Sequence, residues 1–122
     1  MPVVIVDKKS FSGSVTPSDL NVETTVVEIG PETDDYIVEG YIDLGPLEEG
    51  DTVKVCEYIA VDGTNYSVFI CQEFSGKPSE PVIRFHSKTL LASMKYRVTI
   101  TMLEGTIKAF NYGFIEEIMG IV

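Results

Sequence analysis

The stretch Asp51-Thr-Val-Lys-Val-Cys-Glu-Tyr-Ile-Ala-Val-Asp-Gly-Thr-Asn-Tyr-Ser-Val-Phe-Ile-Cys71 reads as two β-strands folded back on each other at Asp62-Gly63. Asp-Gly between apolar runs is a strong hairpin signal, because a two-residue type I′ turn needs positive φ at both central positions. With these two residues as the turn, pairing follows by counting outward. Val61 faces Thr64, Ile59 faces Tyr66, Glu57 faces Val68 and Val55 faces Ile70. One face then carries Val53, Val55, Ile59, Val61, Tyr66, Val68 and Ile70, interrupted by Glu57. The other carries Lys54, Cys56, Tyr58, Ala60, Asn65, Ser67, Phe69 and Cys71. An apolar face backed by a mixed one is the pattern of a sheet packed on a core from one side.

The same two-residue period continues in both directions. Lys95–Met102 is the most regular segment: Tyr96, Val98, Ile100 and Met102 point one way, and Lys95, Arg97, Thr99 and Thr101 the other. Tyr36–Asp43 reads as a strand with a bulge position at Gly40, and Val22–Gly30 and Val82–His86 as further strands. Glu104-Gly105 is a second tight turn, after which Thr106 to about Phe114 returns as a strand. Ile115–Val122 closes the chain as a strand or a loose tail. Thr16-Pro17-Ser18-Asp19-Leu20 is expected to open one helical turn, and Ser87–Met94 reads as a bend or another such turn. Breaks fall at Pro31–Asp35, Gly45–Asp51 and Ser75–Pro81.

About eight strands at roughly 8–12-residue spacing, without a long amphipathic helix, predict an antiparallel β-sandwich of jelly-roll or immunoglobulin-like connection. A closed barrel is the alternative. The expected organisation is an N-terminal arm over residues 1–14 and a single sandwich domain over 15–122.

Charge narrows the partners. The 122 residues include nineteen acidic and nine basic side chains, for a net charge of −10. Such a surface is repelled by nucleic-acid backbones and by anionic membranes. Met1-Pro2-Val3-Val4-Ile5-Val6 lacks the basic start of a secretory leader, and Ile118–Val122 is too short to span a bilayer.

The inventory of reactive groups is thin. Cys56 and Cys71 fall on one face of the hairpin but diagonally offset, so two buried free thiols are expected. His86 is the only histidine, and two thiols with one imidazole cannot close a tetrahedral zinc shell without carboxylates. Carboxylates cluster at Glu32, Asp34, Asp35, at Glu48, Glu49, Asp51 and at Glu116, Glu117. All three clusters read as loop carboxylates on a solvated rim, with a loop calcium site at Glu48, Glu49 and Asp51 as the alternative. Tyr41, Tyr58 and Tyr66 fall in strands, where packing is favoured over sugar stacking. No nucleophile, phosphate-binding or metalloprotease motif is present, so a non-enzymatic protein without cofactors or metals is expected.

Three stretches together resemble a known group. They are Gly40-Tyr-Ile-Asp-Leu-Gly-Pro-Leu-Glu-Glu-Gly-Asp-Thr-Val53, Asp62-Gly-Thr-Asn-Tyr66 and Lys95-Tyr-Arg-Val-Thr-Ile-Thr-Met-Leu-Glu-Gly-Thr-Ile-Lys-Ala-Phe-Asn-Tyr112. Their order is similar to that in small β-sandwich structural proteins of tailed phages and related viruses. The resemblance implies a capsid-decoration subunit that docks on the shell and stabilises it. It also implies the major capsid or other virion proteins as partners, a homo-oligomer, and a place in virions assembled in the host cytoplasm. The contact residues expected for that role are the apolar termini: Val3, Val4, Ile5 and Val6 at one end, and Ile115, Ile118, Met119 and Ile121 at the other. The competing reading of each terminus is an ordinary strand of its own sheet. The competing function is a ligand- or carbohydrate-binding module of a fibre or surface protein.

Overall fold

A computed structural model describes residues 2–121. Eight strands follow one another: β1 (Val3–Val15), β2 (Thr24–Ile29), β3 (Tyr36–Asp43), β4 (Thr52–Ala60), β5 (Ser67–Ser75), β6 (Val82–Leu90), β7 (Lys95–Glu104) and β8 (Phe110–Ile121). They form two four-stranded sheets, ordered β1-β8-β3-β6 and β2-β7-β4-β5. Every neighbouring pair is antiparallel. The pairs β4/β5, β3/β6, β2/β7 and β1/β8 are nested, one outside the next. The chain is therefore one long hairpin rolled into two layers. That nesting is a jelly roll, and it decides between the two sandwich topologies.

The core forms where the period-2 pattern of facing strands meets. Tyr96, Val98, Ile100 and Met102 of β7 are all fully buried, as their alternation requires. Tyr36, Val38 and Ile42 of β3 join them, as do Phe110, Phe114 and Ile118 of β8. Leu44 and Leu47, in the loop after β3, plug one end. Each such side chain contributes about 1.5–3 kcal/mol relative to exposure. Gly40 has a specific reason to be glycine: a Cβ there would lie 2.2 Å from Phe114 Cδ2. The β3/β6 register shifts between Val38 and Gly40, where the bulge was expected.

The hairpin is present, but its register is not the expected one. The connection spans residues 61–66 instead of two residues. The Asp62 carboxylate accepts hydrogen bonds from the amides of Thr64 (2.8 Å) and Asn65 (2.7 Å), and from the Asn65 side chain (2.9 Å). These bonds hold a wider loop, with Gly63 at φ +80°. Tyr58 pairs with Val68, Glu57 with Ile70 and Cys56 with Cys71, with a shift between Glu57 and Tyr58. The two cysteines are thus directly opposite, not diagonal. They form a disulfide, with Cα atoms 4.1 Å apart, so the free-thiol expectation is corrected. The predicted core face of the second strand is corrected too. β5 ends its sheet, and all its residues except Phe74 are exposed, including Val68 at 61%, Phe69 at 50% and Ile70 at 45%.

Other local readings also change. Residues 16–22 bend and turn without forming a helix. β6 runs on to Leu90, and the amide of Met94 donates to the Leu91 carbonyl (2.9 Å) to close the turn that follows. β8 is one unbroken strand that starts at Phe110, and the segment before it is loop. Residues 3–14 are not a separate arm but part of β1, paired with β8 from Val3↔Ile121 to Val15↔Phe110. Met1 and Val122, at the outer ends of the two terminal segments, lie outside the described residues.

Candidate functional site

Across the first sheet, Lys9 of β1, Glu116 of β8, Val38 of β3 and Lys88 of β6 stand in one row. Glu116 and Val38 are 1% and 0% exposed, so this row faces the interior. It carries charge into the sandwich at two places.

The first joins the layers. Lys88 Nζ lies 2.9 Å from Glu57 Oε1 on the opposite sheet, and the Tyr96 hydroxyl donates to the same oxygen at 2.6 Å. The lysine also sits 4.8 Å from the centroid of the Tyr96 ring. Burial, and then the bond to Glu57, hold the Tyr96 hydroxyl pKa far above the ordinary phenol range. The phenol stays a donor, and the glutamate that interrupted the apolar face of β4 is satisfied on two sides. A buried pair of this kind is costly to break, because the survivor is left charged in a low-dielectric site.

The second lies under β1. Neither carboxyl oxygen of Glu116 accepts a hydrogen bond from a described donor. Glu32, in the β2–β3 loop, acts on it, and Lys9 Nζ clasps Glu32 at 3.0 and 3.2 Å. Burial first, then contact with Glu32, push the Glu116 carboxyl up to about 7. Two ionised carboxylates have only acceptors to offer each other. A bond between the two needs a proton on one of them, and the buried Glu116, whose value is raised, is the one placed to carry it. The Tyr36 hydroxyl, raised by burial and then by the charges of Glu116 and Glu32, donates to the Met94 carbonyl at 2.6 Å.

The remaining sequence candidates are dispersed. His86 is exposed on β6 and forms none of the described ion pairs. The Asp51 carboxylate accepts from the amides of Glu48 (2.9 Å) and Thr106 (3.0 Å), with Lys108 Nζ at 3.7 Å. It ties two loops together, and these bonds keep its pKa below the ordinary carboxylate value. Among the described residues no three of His, Cys, Asp and Glu are grouped so that they could hold a metal ion. Tyr58 donates to Glu23, and Tyr66 to Glu28 at 3.1 Å with Arg97 over its ring.

The apolar termini divide. Val3, Val4, Ile5 and Val6 are 37–64% exposed on the free edge of β1, and Ile121 is 63% exposed. Ile115 and Met119 are half-buried, while Ile118 lies in the core with no surface to offer. Val68, Phe69 and Ile70 form an exposed run, of which Val68 and Ile70 were expected in the core. The signal that could have found it is the chain order of a jelly roll, which puts β5 at an edge.

Two shallow cavities border these surfaces. One, of about 390 Å³, lies on the outer face of the first sheet. Register explains it. Ser12 pairs with Gly113 and Gly113 with Tyr41, while Ser10 pairs with Ile115 and Ile115 with Glu39. Gly113 leaves a notch in this tiled face, since a Cβ there would meet nothing within 4 Å. The other, of about 190 Å³, touches Val3, Met119 and Ile121 beside Asp34 and Asp35.

No family model and no curated protein matches the chain. Among solved structures, the chain is similar to the VP2 subviral particle of infectious bursal disease virus: 8% identity, TM-score 0.46, 93% of this chain and 34% of that one. It is similar to the structure of the Gx strain of the same virus at 10% identity and TM-score 0.45, over 96% and 32% of the two chains. It is also similar to the Drosophila NLP core, described in terms of pentamer formation and histone binding: 15% identity, TM-score 0.47, 92% and 97% coverage. The chain spans about one-third of the length of the viral neighbours. At these identities and TM-scores the neighbours assign neither a family nor an activity.

Proposed function

We propose that this protein is a non-enzymatic structural subunit that assembles through its sheet edges, with copies of itself and with a viral shell that it decorates and stabilises. The observation that carries the reading is β1. It is a thirteen-residue edge strand whose Val3–Val6 run is exposed. Soluble proteins blunt such edges with charge, proline or brevity, because unpaired backbone groups beside apolar side chains recruit another strand. β5, ending the second sheet with Val68, Phe69 and Ile70 outward, offers a second edge of the same kind. The net charge of −10 keeps unassembled subunits soluble and suits the outside of a particle, away from nucleic acid. Binding only to the assembled lattice stabilises that lattice by mass action. The major capsid protein is the heterologous partner in this reading.

Sedimentation of the wild type and of Ile5→Lys tests it. The wild type is expected to self-associate or to co-sediment with shells, and Ile5→Lys to remain monomeric and unbound. A wild type that stays monomeric and ignores shells, or a variant that assembles equally well, refutes it.

The notch favours a second reading, a saccharide-binding module. Tyr41 is half exposed there, beside Ser10, Ser12 and Glu39, which suits a neutral ring stacked on the phenol. Binding to a panel of neutral oligosaccharides, lost in Tyr41→Ala, supports this reading; no binding by the wild type removes it.

A further inference from the structure

We propose that Glu116, Glu32 and Lys9 form a proton-dependent latch that holds β1 on the sandwich, seated in mildly acidic solution and loosened at neutral pH and above. The consequence for assembly rests on the edge-strand reading above, whereas the latch itself is a property of the single chain.

The geometry supplies the parts. Glu116 is 1% exposed at an inward position of β8, and neither oxygen has a described donor. Buried polar groups without partners are rare in folded proteins and cost about 1–3 kcal/mol each, so a carboxyl kept in this state calls for a reason. Its Cα partner on β1 is Lys9, whose amine is taken by Glu32 at 3.0 Å. Each element packed against Glu116 adds little else. β1 brings Lys9 and the further negative charge of Asp7, and the β2–β3 loop brings Glu32. β3 brings the Tyr36 hydroxyl, already committed to the Met94 carbonyl. β2, from the other sheet, turns the apolar Val26, Val27 and Ile29 inward and keeps Glu28 outside with Arg97. On β8 itself the inward flanks are Phe114 and Ile118. One lysine therefore serves two carboxyls.

With Glu116 protonated, the acid donates to Glu32, the lysine neutralises Glu32, and the site carries no net charge. Loss of the proton leaves a second buried carboxylate, with no donor and only the lysine already taken by Glu32 to balance it. Separation of β1 and the 31–35 loop from β8 admits water and relieves that state. The strand is built to yield there, because the β1/β8 register breaks between Ile5 and Asp7, next to the latch.

The sign follows from linkage. The carboxyl sits at about 7 in the closed state and returns to its ordinary 4.5 when opening admits water. Protons therefore favour the closed form. The opening equilibrium is lowest below pH 4.5, rises up to about tenfold per pH unit between 4.5 and 7, and levels off above 7.

Hydrogen exchange of residues 2–9, corrected for intrinsic rates, reads the latch directly in the full chain between pH 5 and 8.5. Protection in the wild type is expected to fall roughly tenfold per unit to pH 7 and then to flatten. Glu116→Gln is expected to show no such fall and to exceed the wild type in protection at pH 8. A flat wild-type profile, or a Glu116→Gln profile that tracks the wild type, overturns the proposal. Should that variant not fold, Glu32→Gln takes its place: without the second carboxyl, the break in the profile moves to lower pH, and an unmoved break overturns the latch. Sedimentation over the same range separates the two readings. Exchange that follows the expected profile without association at any pH refutes the assembly reading and leaves the latch. Association with flat exchange refutes the latch alone.

Discussion

Replacing Lys88 with Met should be among the most damaging single changes in this protein. The Lys88 and Glu57 side chains are 13% and 10% exposed, and their 2.9 Å contact bridges the two layers. Met fills the space of the lysine stem, so little cavity forms and the loss is electrostatic. Glu57 is left in the interior with only the Tyr96 hydroxyl, 2.6 Å away. Stranding one member of a buried pair costs about 3–5 kcal/mol, and the residual exposure here argues for the lower end, about 3 kcal/mol. Unfolding entropy near 2.1 cal/mol/K per residue, over the 122 residues, gives roughly 0.26 kcal/mol/K. The expected drop in Tm is therefore about 12 °C. Urea unfolding followed by circular dichroism, with the disulfide kept oxidised, should show a lower midpoint at unchanged slope. The control is Glu57→Leu/Lys88→Met/Tyr96→Phe, which removes every polar member together. It should lie within about 1.5 kcal/mol of wild type, because no buried group is left unpaired. A loss below about 1 kcal/mol for Lys88→Met alone, or a triple variant as unstable as the single one, would show that the cluster is solvated and the reasoning wrong.

Three further outcomes are expected. Gly40→Ala should cost about 1–3 kcal/mol by thermal melting, since its Cβ would lie 2.2 Å from the Phe114 ring and 2.7 Å from the Gly113 carbonyl oxygen; Phe114→Leu in the same chain should recover part of that loss. Cys56→Ala/Cys71→Ala should lower unfolding stability by about 3 kcal/mol, the loop-closure value for a separation of 15 residues, and the reduced wild type should match it. The stability gap between wild type and Asp51→Asn should hold at neutral pH and close under acid, because a carboxyl with a depressed folded pKa stabilises above its ordinary 3.8 and loses that contribution as pH falls through the folded value; a gap unchanged down to pH 2 in a pH-resolved urea titration would contradict this.

The sequence by itself identified β2 to β7, while β1 read as an arm and β8 as two segments. Side chains alternate across a strand whatever it packs against, so Tyr96, Val98, Ile100 and Met102 declare one buried face from their spacing alone. Gly40 likewise marked its bulge, and eight strands without a helix already implied two layers. Burial on β5 and the pairing of the cysteines were decided elsewhere. Whether Val68 and Ile70 are covered depends on β5 being last in its sheet, a consequence of nesting the chain around one hairpin. Whether Cys56 meets Cys71 depends on a loop six residues long and a shift at Glu57, because a change of one or two residues in register alters every pair beyond it. The candidate site was the least legible part. Glu116 looked like one member of an acidic pair with Glu117, and only the seating of β8 between β1 and β3 turned it inward against Glu32 and Lys9. Alternation is a local property of the backbone, whereas the surroundings of a charge are set by strands distant in sequence, and those exist only once the chain has folded.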